Sequence, residues 1–182
     1  MDPELIIRAQ RGDEDAFAQI AALAGGRLHA IAYRVLRDPE LAEDATQQAL
    51  LMIWRDLPRL REPARFNAWS YRLLIRACYR AGRESRHWMP DLHLLPNDRP
   101  IGTDEMSRIL DRDEIERAFR RLSVAHRAVV VLHHYLDMPL TQVAEALDIP
   151  MGTVRSRLHY AVRALRASLD ADARPVAKEI AS

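Results

Sequence analysis

Apolar residues along this chain return every three or four positions rather than every second one, which is the period of a helix with one buried face. Ala42, Ala45, Ala49 and Met52 follow that spacing, as do Phe66, Trp69, Leu73 and Ala77, and again Val154, Leu158, Ala161 and Leu165. No run of alternating apolar residues marks a strand, so the pattern predicts an all-α fold. Gly and Pro punctuate it. Over 4–79 the helices are expected to break near Gly25-Gly26, at Arg37-Asp38-Pro39 and between Pro58 and Pro63. Asp38 followed by Pro39 is a start signal, because a capping carboxylate precedes a residue whose fixed φ suits the first helical turn.

Pro90, Pro96 and Pro100 interrupt 87–104, where a helix cannot continue. The chain is therefore expected to form two small helical domains joined by an extended linker. The first occupies 1–86, the linker 87–104 and the second 105–170, leaving a frayed tail at 171–182.

With 182 residues, 48% of them hydrophobic and 29% charged, the composition is that of a folded helical protein rather than a disordered one. No apolar run approaches the ~20 residues of a spanning helix. The start, Met1-Asp2-Pro3-Glu4, runs straight into an amphipathic pattern with no secretory signal, so the expectation is a cytoplasmic chain without membrane insertion. Cys78 is the single cysteine, which excludes an intrachain disulfide and a multi-cysteine zinc site. The adjacent pair His133 and His134 points to different helix faces and makes a poor chelate. No metal or cofactor is expected.

Net charge is only +1, but its distribution is uneven. Positions 59–86 hold eight arginines against two glutamates, a local surplus of six positive charges, whereas 38–56 is acidic through Asp38, Glu40, Glu43, Asp44 and Asp56 with Arg55 alone opposing them. Such polarity predicts two faces with different partners.

Near the C-terminus, 140–147 and 153–160 read as two helices around a tight break at Asp148-Ile149-Pro150-Met151-Gly152, which is helix-turn-helix spacing. Ala144 is small where two steeply crossed helices need close approach, and Ile149 can plug the angle between them. On the second helix the stripe Val154, Leu158, Ala161 and Leu165 must face the module core. The opposite face is cationic: Arg155, His159 and Arg163 succeed one another at i+4, with Ser156 and Tyr160 beside them, and no acidic residue occurs between positions 152 and 168. A basic helix face alone is most often a solvated surface. A preceding helix and turn at this spacing shift the balance toward the major groove, where arginine reaches guanine in bidentate fashion.

Leu122-Ser123, Arg127, Leu132, Val143-Ala144, Leu147, Ile149-Pro150 and the run Gly152-Thr153-Val154-Arg155-Ser156-Arg157-Leu158 resemble the promoter-reading σ4 domain of extracytoplasmic-function (ECF) sigma factors. The resemblance implies minus-thirty-five base contacts for Arg155, Ser156 and His159 and a backbone contact for Arg157, with Tyr160 and Arg163 on the same surface. Three positions depart from the family pattern. Many members carry arginine where Tyr160 stands and another basic residue at Val162, and glycine is usual at Asp148. Asp148 is expected to tolerate the turn, since Asp enters left-handed backbone more readily than most residues.

In the first half, Glu43, Asp44, Gln47 and Gln48 point away from the Ala42, Ala45, Ala49 and Met52 stripe. Alone, that face is ordinary solvated surface. With the later Trp54 it resembles the polymerase-binding helix of the σ2 domain, which implies that Glu43, Asp44, Gln47, Gln48 and Leu51 dock on the β′ clamp helices of RNA polymerase. The next helix sets Arg72, Arg76 and Arg80 at successive i+4 positions, with Arg65 before them and Trp69, Tyr71 and Tyr79 interleaved. Basic stripes with aromatics suit single-stranded DNA, because phosphates need charge and unstacked bases need flat surfaces. Phe66 and Trp69 are expected in the core, anchoring the helix while the arginines meet DNA. Phe66, Trp69, Tyr71 and Arg72 resemble the family's minus-ten recognition and melting segment, in which a base is flipped from the opening duplex. Arg76 replaces a frequent family asparagine, and 78–83 lacks the common Asp-x-x-Arg-Arg ending.

The resemblance covers about 5–169. It implies a non-enzymatic initiation factor that binds core RNA polymerase through the β′ clamp helices and the β flap and guides it to promoter DNA. It also implies an anti-sigma factor as a further partner, although nothing in the sequence identifies one. The alternative is a dimeric helix-turn-helix regulator that needs no polymerase and binds two half-sites about one helical turn apart. A nuclease is disfavoured: Glu43 and Asp44 diverge around their helix, and neither a phosphate loop nor a nucleophile beside a base is present.

Overall fold

Residues 1–84 and 112–172 are described by the computed structural model of the chain. Among them all regular structure is helical, as the periodicity predicts. The first half comprises α1 (Pro3–Gln10), α2 (Glu14–Leu36), α3 (Pro39–Asp56) and α4 (Phe66–Glu84), and the second α5 (Arg112–Arg120), α6 (Val124–Val130), α7 (Leu140–Leu147) and α8 (Met151–Asp172). The expected extended linker at 87–104 and the tail beyond 172 lie outside the described residues.

Side-chain caps start four of these helices. Asp2, Asp13, Asp38 and Ser123 each accept from a backbone N–H two or three residues on, satisfying a donor that the helix itself leaves orphaned. Pro39 follows the Asp38 cap, as read from the sequence. Two breaks are placed as expected. α2 ends at Arg37, whose φ of 60° is left-handed, and α3 passes through the single turns Leu57–Arg59 and Pro63–Arg65 before α4. Gln10 on α1 secures that connection by donating to the carbonyl oxygens of Leu57 (3.0 Å) and Leu60 (2.7 Å).

The expected break at Gly25-Gly26 does not occur; α2 runs through it for 23 residues. Glycine weakens a helix interior by about 1 kcal/mol relative to alanine, but burial of Ile20, Ala24, Leu28, Ile31, Ala32 and Val35 along one face of α2 outweighs that preference. The break that the glycine pair seemed to mark lies earlier. Gly12, at φ 91°, turns the chain between α1 and α2, and Asp13 then caps α2.

α2, α3 and α4 pack on one another around Leu28, Ile31, Val35, Ala45, Ala49, Ile53, Phe66, Leu74 and Ile75. In the second half α6 widens into a π-turn at Val131–Tyr135, where the Leu136 N–H reaches the Val131 carbonyl at 3.2 Å. α7 and α8 then pack against it through Val129, Leu132, Val143, Ala146 and Val154. The halves are in contact. α6 lies against both α2 and α4, α7 lies against α4, and the buried apolar residues of both halves form one continuous cluster.

Candidate nucleic-acid and polymerase interfaces

The helix-turn-helix is built by α7, a three-residue turn and α8. Asp148 ends α7 with φ 56° and ψ 47°, the left-handed geometry expected of it, and its N–H and that of Ile149 return to the Ala144 and Glu145 carbonyls. Ile149 and Ala144 pack at the crossing. α8 begins at Met151, two residues ahead of the expected start. Val154 and Ala161 are fully buried, so the stripe read from the sequence does face the core and the opposite face of α8 is turned outward.

On that outer face Arg155 and Arg163 are exposed and His159 is half-buried between them. Ser156 is exposed, its hydroxyl donating to the Thr153 carbonyl at 3.1 Å. Arg157 is half-buried. Tyr160 has two neighbourhoods: it is 38% exposed, and its ring lies 4.5 Å from that of His126 on α6. Tyr160 thus holds α8 to α6 with one side of its ring.

α3 displays Glu43, Asp44, Gln47 and Gln48 along one exposed face, with Leu51 at 61% exposure continuing it. Trp54 follows at i+3 from Leu51, 38% exposed, its ring tilted at 59° to that of Phe17 with the centroids 4.5 Å apart. The exposed Leu51 and part-exposed Trp54 give this polar face an apolar end. Trp54 belongs to it, although the sequence offered it only as a family marker.

α4 separates its residues by face. Phe66, Leu73 and Ala77 are buried and Trp69 packs half-buried beside Phe66, so these are core anchors as expected. Arg65 is exposed and paired with Glu62 at 2.9 Å, and Arg76 and Arg80 are exposed farther along. Arg76, Tyr79, Arg80 and Arg83 line a cleft of about 320 Å³ at the C-terminal end of α4. Tyr71 departs from expectation. It is buried, and its hydroxyl accepts from Arg27 of α2 at 2.9 Å. Tyr71, Leu74 and Cys78 fall at i, i+3 and i+7 and are all buried, so Tyr71 belongs to the core stripe and leaves no ring face for a base in this arrangement.

Two α4 arginines are engaged by α7. Arg72 donates from Nε (3.1 Å) and from a terminal nitrogen to the carbonyl oxygen of Glu145, and Arg76 lies 3.6 Å from the Asp148 carboxylate. Nearby, Arg37 pairs with Glu116 of α5, and Arg127 of α6 is 8% exposed with no partner for its Nε. Burial, and then the neighbouring Arg37 and Arg120, push the Arg127 guanidinium down to about 10, which still leaves it cationic at neutral pH. Burial pushes the Cys78 thiol up to about 12, so it is protonated under the same conditions. No cluster of side chains among the described residues could hold a metal ion, and no helix among them is long and apolar enough to cross a membrane.

Comparison with known proteins finds one family match in each half of the chain. Residues 23–87 match the family model described as Sigma-70 region 2, and residues 118–167 match Sigma-70, region 4. The ECF RNA polymerase sigma factor SigL of Mycobacterium tuberculosis is 35% identical over 76% of this chain and 80% of its own length. The chain is an ECF sigma factor of the sigma-70 family. SigW of Bacillus subtilis, another ECF RNA polymerase sigma factor, is 26% identical over 90% of this chain and 94% of its own. Among solved structures, CnrH in complex with the cytosolic domain of CnrY superposes with a TM-score of 0.66 at 24% identity, covering 94% of this chain and 98% of that one. The sigma factor RpoE in complex with the anti-sigma factor NepR from Bartonella quintana gives 0.60 at 21% identity, over 86% and 98%. At these identities the superpositions speak for the fold. In this ECF sigma factor region 2 spans α3 and α4 with most of α2, and region 4 spans the helix-turn-helix.

Proposed function

We propose that this ECF sigma factor binds core RNA polymerase through the outer face of α3 and directs it to promoters read by α8 and opened along α4. Glu43, Asp44, Gln47, Gln48 and Leu51, extended by Trp54, form the docking face for the β′ clamp helices, and the second half meets the β flap. Arg155, Ser156, His159 and Arg163 enter the major groove of the minus-thirty-five element while Arg157 and Tyr160 contact its backbone side. Arg65, Arg72, Arg76 and Arg80 track the strands at the minus-ten element, with Tyr79 and the edge of Trp69 as the aromatic surfaces; Tyr71 supports them from the core. The functional units are 1–86, 87–104, 105–170 and 171–182. The chain acts without catalysis of its own, in the cytoplasm, and an anti-sigma protein of the kind bound to RpoE is a fitting partner for the same surfaces.

The observation that carries this reading is the outward display, in one chain with both sigma-70 regions, of a polar face on α3 and a basic face on α8. Selection on a randomised promoter library, transcribed by purified core enzyme with and without the chain, tests it. Enrichment of one pair of promoter elements only when the chain is present is the expected result. Operator binding by the protein alone, with no effect on start-site choice, would favour the dimeric regulator instead.

A further inference from the structure

Tyr160 stands on the flank of α8, with Ser156 at i−4 and Arg157 at i−3, so these three side chains neighbour one another on the helix surface. A phenol on a helix surface ordinarily swings about its two side-chain torsions. This one is braced from behind: its ring lies 4.5 Å from the His126 imidazole, with the planes 38° apart. Even so it stays 38% exposed, and among the described residues its hydroxyl has no hydrogen-bond partner.

His126 is built to stay where it is. It is buried in the first turn of α6, and Ser123 ties both of its ends. The Ser123 hydroxyl oxygen accepts from the His126 backbone N–H at 3.3 Å and lies 2.7 Å from Nδ1 of its ring. α6 in turn is packed against α8. The pair could be no more than a joint between those two helices. Val129, Leu132, Val154 and Ala161 are fully buried, however, and already close that joint. A ring that served packing alone would have no reason to keep an exposed edge and an unengaged hydroxyl.

We propose that His126 is a positioning residue for the minus-thirty-five contact: it holds Tyr160 so that the phenol hydroxyl donates to a promoter phosphate beside Arg157. The proposal rests on α8 being the promoter-reading helix. Holding the ring in place before DNA arrives reduces the freedom lost on binding. The bond is uncharged on the protein side, so it fixes the register of α8 on the duplex without releasing a counterion. Its signature is a gain in affinity that salt does not modulate, unlike the contribution of every arginine on the same helix.

Holoenzyme assembled from core RNA polymerase and the full-length chain, titrated across a salt series with a dye-labelled duplex carrying the elements that the wild-type chain enriches, reads that signature. Tyr160→Phe keeps the ring pair and removes the hydroxyl. It should weaken binding about ten-fold, the scale of a hydrogen bond to a charged acceptor. His126→Ala frees the ring and should weaken binding about two- to ten-fold, the cost of immobilising one loose side chain. Neither should alter the slope of log affinity against log salt, because no ionic contact is lost. His126→Phe, which restores a flat ring, should recover the loss. In the Tyr160→Phe background His126→Ala should cost nothing further, since no hydroxyl is left to place. His126→Leu takes the place of His126→Ala if the smaller residue prevents assembly, because leucine fills most of the volume without a flat ring.

A merely structural role predicts otherwise. A displaced α8 would loosen Arg157 and Arg163, flatten the salt slope, and do so equally in the Tyr160→Phe background. Either of those results, or undiminished binding by Tyr160→Phe or His126→Ala, would overturn the proposal. A wild-type holoenzyme with no preference for the duplex over a scrambled one would remove the promoter-reading role of α8, and the proposal with it. A clear wild-type preference that the His126 variants leave intact would remove the role of His126 alone.

Discussion

Arg155 carries the sharpest consequence of the proposed recognition role of α8, because it is exposed near the start of that helix with no acid on that face. A bidentate arginine–guanine contact discriminates its base by about 1–3 kcal/mol. Arg155→Ala should therefore flatten preference at one minus-thirty-five position while leaving the others, as read by transcription from a promoter series; intact preference would remove Arg155 from the interface. Asp38 acts on stability instead. Its carboxylate accepts from the Leu41 N–H at 3.0 Å, so Asp38→Ala should cost about 0.5–2 kcal/mol in urea unfolding with the denaturant slope unchanged. Cys78 is buried with its thiol held protonated. Alkylating reagents should modify it only as fast as the first half unfolds, and rapid native-state labelling would contradict its placement. Periodicity alone located Leu73, Val154 and Ala161, but not the buried Cys78 or the buried side of Tyr71, because aromatics beside arginines read equally well as core and as stacking surface.

At the scale of elements, local signals were enough wherever the backbone itself changes. Asp38-Pro39 and the turn at Asp148 carry their own geometry, so the start of α3 and the helix-turn-helix are legible from residues a few positions apart. The continuity of α2 was not, because the burial that keeps it helical across Gly25-Gly26 depends on α3 and α4 packing against it. That explanation has a direct test. A Cβ at Gly26 would meet nothing within 4 Å and the residue is helical, so Gly26→Ala should raise stability by about 0.4–1 kcal/mol, chiefly by reducing the freedom of the unfolded chain. A loss of stability in calorimetry would mean that the glycine pair has another use.

For the whole molecule, charge polarity in the sequence foretold two faces, and α3 and α4 do present opposite character to the surroundings. What it could not show is that α7 lies on α4. Arg72 and Glu145 are 73 positions apart, and no periodicity links them. The proposed docking face draws on α3 alone: reversing a rim charge chiefly changes the rate and salt dependence of association. Asp44→Arg should thus weaken core binding several-fold, most at low ionic strength, while the circular dichroism of the chain is unchanged; equal affinity would move the docking face elsewhere. The claim on which all of this rests is that the chain confers promoter choice on RNA polymerase. Run-off transcription by core enzyme on a cognate promoter, with and without equimolar chain, measures it directly: a discrete start site that appears only with the chain is the predicted result, and an identical transcript pattern in both reactions would contradict the account.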